Sequence, residues 1–139
     1  MYKKRGQAST EMMVVLAMVF ILLTFIISVN ETVMTGIEAE YDSMKAKIAL
    51  DKIVHAGKLA YQQGEGAQLK IYVTIPENVE SISLAGREIN ITMNLSGEKN
   101  LIYKLTDYNV SGTIPSEMGN YWLKIKSEQN KVVISNYYG

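Results

Sequence analysis

Glu11 is the residue whose setting most constrains its chemistry. Directly after it the chain reads MMVVLAMVFILLTFIISV from Met12 to Val29, without a charge and with only Thr24 and Ser28 polar. A carboxylate one turn inside a helix that enters lipid costs ~2.5–3.5 kcal/mol when unpaired. The chemistry open to Glu11 is therefore pairing with a cation at close range in a low dielectric. No other carboxylate lies between residues 7 and 30. Catalytic alternatives are few. Cysteine is absent, which excludes disulfides, thiolate catalysis and Cys-ligated metals. The one histidine, His55, follows Asp51 by four residues and has no second His or Cys to complete a metal site; it reads as a packing or solvent-facing residue. Nothing resembles a phosphate loop, a nucleophile elbow or a paired-carboxylate site. The sequence predicts a chain that is not an enzyme and holds no cofactor and no metal.

A second set of chemically addressable residues is four N-glycosylation sequons, at Asn30-Glu31-Thr32, Asn90-Ile91-Thr92, Asn94-Leu95-Ser96 and Asn109-Val110-Ser111. Alternation places Asn90 and Asn94 on the polar face of one strand, and Asn109 lies in a turn-rich segment. In an external domain each is a candidate for a glycan.

The elements that position these residues follow from periodicity. The 139 residues suffice for one domain. The apolar run, residues 12–29, is long enough as helix to cross a hydrocarbon core of about 30 Å. No small-residue cleavage site follows it, so an ordinary secretory signal is not expected. Lys3, Lys4 and Arg5 precede it, which keeps the N-terminus cytoplasmic and sends residues 30 onward outside. Ile37, Tyr41, Met44 and Ile48 then form a helical stripe that continues, slightly rotated, through Ile53, Val54 and Tyr61. Lys47 with Asp51, and Asp42 with Lys45, are spaced to meet on that helix. Gly64 and Gly66 end it. Asn30, Thr32, Thr35 and Gly36 are poor helix formers where a bend fits. Unbroken over 7–62, the helix is roughly 84 Å long, more than a globular domain of this size can use.

From Ala67 the period becomes two. Leu69 to Ile75, Ser81 to Leu84, Ile89 to Leu95, Leu101 to Leu105, Tyr121 to Ile125 and Lys131 to Ser135 read as strands joined by short turns. The fold class expected is α+β: a long N-terminal helix, apolar then amphipathic, followed over 67–139 by an antiparallel β-meander or small sandwich packed on helix residues 37–61. The chain's 14 basic and 14 acidic residues cancel. No whole-chain basic field exists, so no nucleic-acid partner is expected. The tyrosines, among them Tyr121, Tyr137 and Tyr138, suit either strands or a binding surface.

The segment Lys4-Arg5-Gly6-Gln7-Ala8-Ser9-Thr10-Glu11 before an apolar run strongly resembles the class III signal peptide of archaeal type IV pilin-like proteins. In that family a basic leader ends in Gly, cleavage leaves Gln as the first residue, and the mature start reads Q-x-S-x-E. Gln7, Ser9 and Glu11 match all three positions. Gln7 sets the chain apart from bacterial prepilins, which usually begin with Phe. Less specifically, residues 75–91 and 109–115 look like the β heads of some of these proteins. The resemblance implies a leader over 1–6, cleavage between Gly6 and Gln7 by a prepilin peptidase, and an assembly role for Gln7, Ser9 and Glu11. It further implies partners: copies of the same chain in a helical filament, the pilus assembly machinery, and the membrane before assembly. The freed α-amine of Gln7 on one subunit would pair with Glu11 of a neighbour. Surface adhesion is the usual task of such filaments. The expected product is a membrane-inserted precursor that becomes an extracellular filament. The alternative is a membrane-anchored external binding protein that does not polymerise.

Overall fold

In the computed structural model, which describes residues 3–137 and their side chains except those of 3–8, 31–33 and 35, the first element is one helix, α1 (Lys3–Gln63). Its assignment runs through residues 30–36 without a break. The chain divides into two compact units, Met1–Glu38 and Ala39–Gly139. Within the first, the few polar groups of the apolar run are satisfied by the helix itself. The Thr24 and Ser28 hydroxyls donate to the carbonyls of Phe20 and Thr24 at 2.8 and 2.9 Å, and Asn30 Nδ2 donates to Ile26 at 2.9 Å. Such back-bonding makes these side chains tolerable in an apolar surrounding.

The second unit holds the rest of α1 and seven strands: β1 (Gln68–Ile75), β2 (Val79–Ala85), β3 (Glu88–Leu95), β4 (Glu98–Leu105), β5 (Asn109–Gly112), β6 (Gly119–Glu128) and β7 (Lys131–Asn136). They make two sheets, β1-β6-β7-β5 and β2-β3-β4. The second is an antiparallel meander; Ser96 and Gly97, both at positive φ, turn β3 into β4. The first sheet departs from the expected pattern, because β5 pairs with β7 in parallel. This pairing is permitted by Gly112, whose φ is 124° and where a Cβ would collide with the Ile134 backbone. The sheets are tied together where the Val110 N–H of β5 donates to the Gly86 carbonyl of the β2–β3 turn at 2.6 Å, while the Thr106 N–H extends the β3–β4 ladder to Arg87 at 2.8 Å.

One core joins the inner faces of both sheets to the helix. It contains Ala46, Leu50, Ile53, Ala56 and Ala60 of α1 with Val73, Ile75, Ile91, Met93, Leu123, Ile125 and Ile134. Side chains such as Leu50 and Ile53 contribute roughly 1.5–3 kcal/mol each by full burial. The docking face thus differs from the one the sequence suggested. Ile37 in the first unit and Tyr41, Met44 and Ile48 in the second are all more than half exposed, and within the second unit the buried face of the helix is the alanine-rich one. The small side chains leave room in the shared core for large strand residues such as Ile91, Met93, Leu123 and Ile125. Other contacts replace the expected ion pairs along the helix: Asp51 pairs with Lys104 of β4, Asp42 accepts from Asn78 at 3.1 Å, and Lys45 lies 4.2 Å over the ring of Tyr41 one turn earlier in α1.

Tyr108 closes this core. It is buried, its hydroxyl donates to the Val54 carbonyl at 2.8 Å, and its ring stacks on Tyr61 with centroids 5.5 Å apart. A Cβ on Gly57 would run into the Tyr108 hydroxyl, which explains a glycine inside a helix. Burial, followed by the charge of Asp107, pushes the Tyr108 phenol up to about 12. The folded chain therefore keeps a proton that the unfolded chain releases near pH 10, so this contribution to stability is complete below pH 10 and is lost as pH rises through 12. Tyr108→Phe is expected to cost about 1 kcal/mol at neutral pH. The advantage of the natural chain over the variant should narrow progressively above pH 10. Urea unfolding of both chains in detergent, followed by far-UV circular dichroism from pH 7 to 11, checks this.

Candidate functional site

The structure identifies the N-terminal apolar helix as the region with the strongest functional demand. Ser9–Asn30 is a helix of 22 residues, long and apolar enough to cross a membrane, with none of it buried. Phe20, Ile21 and Phe25 are each about two-thirds exposed. A surface of this size requires cover by lipid, by other helices, or by each in turn.

Ser9 and Glu11 are exposed on this helix. Among the described residues no cation pairs with Glu11, so any partner must come from outside the described chain. Gly6 and Gln7, the residues of the expected cleavage junction, lie outside the residues whose side chains are described, as does Thr32 of the first sequon.

Apolar exposure does not stop where the membrane-length segment stops. In the first unit Met34 and Ile37, and in the second Tyr41, Met44 and Ile48, are 53–61% exposed. In sequence, Met13, Leu16, Phe20, Leu23, Ile27, Asn30, Met34, Ile37, Tyr41, Met44 and Ile48 follow alternating steps of three and four. This is the seven-residue repeat of helices that pack along a seam, with Asn30 as its single polar position. The sequence reading found the last four as a stripe and assigned them to the β head. The longer repeat was legible but hidden by the all-round hydrophobicity of residues 12–29.

The four sequon asparagines occupy different surroundings. Asn30 is bonded back to its own helix. Asn90, in the central strand β3, is only partly exposed, with Ser83 and Tyr103 as its cross-strand neighbours and its Oδ1 buried without a partner. This corrects the expectation of a freely exposed residue. Asn94 is exposed but engaged: its Oδ1 accepts the Gly97 N–H at 3.1 Å and its Nδ2 donates to Glu80 at 3.3 Å. The Lys99 ammonium, 2.8 Å from Glu80, holds that carboxyl below the usual range, and the Asn94 amide adds to the effect. Asn109, at the start of the edge strand β5, is exposed. His55 is exposed, and no group of three potential metal ligands occurs among the described residues.

One cluster was missed by the sequence reading. Lys70, Tyr72, Trp122, Lys124 and Tyr137 meet on the outer face of the four-stranded sheet. The signal was available in the alternation, which puts Lys70 and Tyr72 on one face of β1 and Trp122 and Lys124 on one face of β6. Only the register of β1 on β6 puts the two rows side by side. Compared with known proteins, the chain matches no family model, no curated protein and no solved structure.

The exposed helix generates a direct expectation. Phe20→Arg places a charge near the middle of the apolar segment, at a cost of about 2.5–3.5 kcal/mol for insertion. The natural chain should resist alkaline carbonate extraction from membranes, and the variant should be largely released or fail to insert.

Proposed function

We propose that the chain is the structural subunit of an archaeal type IV-like pilus: a membrane-inserted precursor, trimmed by a prepilin peptidase between Gly6 and Gln7, that polymerises through α1 into an extracellular filament serving adhesion. The observation that carries this reading is the exposed apolar row beyond the membrane-length segment. A lone anchor has no use for Met34, Ile37, Tyr41, Met44 and Ile48 on the surface, because Ser9–Asn30 already suffices to cross a bilayer. Helices packed side by side would cover that row, and the seven-residue spacing from Met13 to Ile48 suits such packing. The edge strand β4 adds Leu101, Tyr103 and Leu105, each at least 59% exposed, as a further surface for neighbouring subunits.

The N-terminal motif supplies the switch from lipid to filament. Loss of Lys3, Lys4 and Arg5 with the leader removes the charges that hold the N-terminus in the cytoplasm. The new α-amine of Gln7 then supplies the cation that Glu11 lacks within the described chain, from one subunit to the next. Desolvating an unpaired charge costs several kcal/mol, so this pairing discriminates a docked neighbour from a misplaced one. Glycans on the external domain complete the reading.

Two outcomes are expected. In the native cell, the mature chain starts at Gln7, and Glu11→Ala is still trimmed but yields at most a small fraction of the normal filaments; N-terminal peptide mass and counting of sheared filaments by electron microscopy check both parts. A trimmed variant with normal filament numbers would show that core packing suffices without the pair. Glycopeptide mapping should find Asn109 occupied and Asn90 bare, because Asn109 is open at an edge whereas Asn90 is wedged between Ser83 and Tyr103 with one amide atom buried. Occupancy at Asn90 alone would contradict the steric argument.

A further inference from the structure

The outer face of the β1-β6-β7-β5 sheet has a composition that stability does not require. Four of the seven basic residues in 67–139 stand on it: Lys70, Lys124, Lys126 and Lys131. Its strands contribute one carboxylate, Glu128, which lies 3.2 and 3.6 Å from Lys126 and Lys131. Lys70 and Lys124 are direct cross-strand partners, and no carboxylate pairs with either among the described residues. Like charges directly opposite each other in a sheet are destabilising. Lys70 instead leans on aromatic rings, with its ammonium 3.7 Å from the Tyr137 centroid and 4.6 Å from that of Trp122. Tyr72 packs at 5.0 Å against Trp122, its rings tilted by 57°. These three aromatics remain 41–47% exposed.

We infer that this face binds an acidic polysaccharide, a polymer of uronate-type sugars, with the unpaired Lys70 and Lys124 holding a carboxylate and the Tyr72–Trp122–Tyr137 rings receiving the C–H faces of adjoining sugar rings. Two lysines without a counterion recognise a localised anion, because a carboxylate between them replaces repulsion with two charge-assisted hydrogen bonds. The electron-rich ring faces attract the weakly positive C–H groups of a pyranose. A single-stranded nucleic acid fits less well. Successive bases stack best on parallel ring faces, and the Tyr72 and Trp122 rings are tilted by 57°. Nucleic-acid-binding domains are also strongly basic as a whole, whereas residues 67–139 carry equal numbers of basic and acidic residues. The inference deepens the adhesive role proposed above and rests on it only for the external location of the face.

Trp122 is the sole tryptophan, so its fluorescence reports on this site directly. The experiment titrates the full-length chain in detergent micelles with oligogalacturonate, with neutral dextran of equal length and with oligothymidylate. The expected result is a saturable Trp122 signal with oligogalacturonate, weakened by salt, and little or none with the other two. Lys70→Ala with Lys124→Ala should weaken binding by at least about tenfold, the worth of one charge-assisted hydrogen bond. The Lys70→Arg, Lys124→Arg chain should retain most of it, and Lys99→Ala on the other sheet should leave it unchanged. Far-UV circular dichroism confirms that the variants are folded. No saturable signal, equal response to dextran, tighter binding of oligothymidylate, or full affinity in the double alanine variant would each overturn the assignment. Because the micellar chain is read without polymerisation, binding without filaments in the cell would remove only the pilus reading, and filaments without binding would remove only this one.

Discussion

The side-chain packing of α1 on the β strands is the contact on which the second unit depends. Two sheets of three and four strands, with one face each to bury, cannot enclose much apolar surface by themselves. The helix supplies the missing wall, and it does so with its smallest side chains. Ala46, Ala49, Ala56, Gly57 and Ala60 form a low surface from which Leu50 and Ile53 project fully buried, with Val54 packed beside them and Tyr61 against Tyr108. Tyr108 fits because position 57 has no Cβ, and its hydroxyl then reaches the Val54 carbonyl. Using small residues for docking leaves the larger ones free. Ile37, Tyr41, Met44 and Ile48 can stay on the surface because the head does not need them. Within the second unit the helix thus carries an inward face of mostly small residues and an outward face that includes the large apolar Tyr41, Met44 and Ile48.

Much of this architecture was legible in the sequence because its signals are local. The helix, its end near Gly64, the switch to a period of two at residue 67 and the turn at Ser96-Gly97 all follow from short-range chemistry. What was not legible depended on comparing faces. A stripe of Ile, Tyr, Met and Ile reads as core by hydrophobicity, whereas an alanine row is nearly silent on that scale. Its burial is dictated by the large strand side chains it packs against, which only the folded partner reveals. The same applies to β5, four residues long, whose parallel pairing with β7 rests on Gly112 and has no alternation to announce it. At the N-terminus the reverse holds. Ser9, Glu11 and the apolar run stand out in sequence because they make no demand on the fold of the head.

Charge gives a second case of information present in the sequence but cancelled by summation. Equal counts of basic and acidic residues seem to describe a featureless surface. The register of β1 on β6 separates them, placing Lys70 beside Lys124 on one sheet, while Glu80 binds Lys99 on the other. Among the described residues the first arrangement leaves positive charge without a paired carboxylate, whereas the second neutralises itself. Net charge decides solubility and non-specific attraction; which face can recognise an anion is decided by pairing.

On the proposed reading, the two parts of α1 contribute to assembly in unlike ways. Residues 9–30 exchange lipid for protein, and lipid tails are as apolar as leucine, so no hydrophobic gain accompanies that exchange. Packing and the Gln7–Glu11 pair must supply its favourable terms. Residues 34–48 begin instead in water. Met34, Ile37, Tyr41, Met44 and Ile48 retain more than half of their exposure in the single chain, and covering them releases on the order of 1 kcal/mol each. The membrane-length segment therefore sets where and in what register a subunit joins, through Asn30 and Glu11, while the row beyond it provides much of the driving force. This division explains why the apolar repeat continues past the length a bilayer needs. It also explains why the only carboxylate before residue 30 lies at the far end from the water-exposed row: the register is fixed where burial alone favours no position over another.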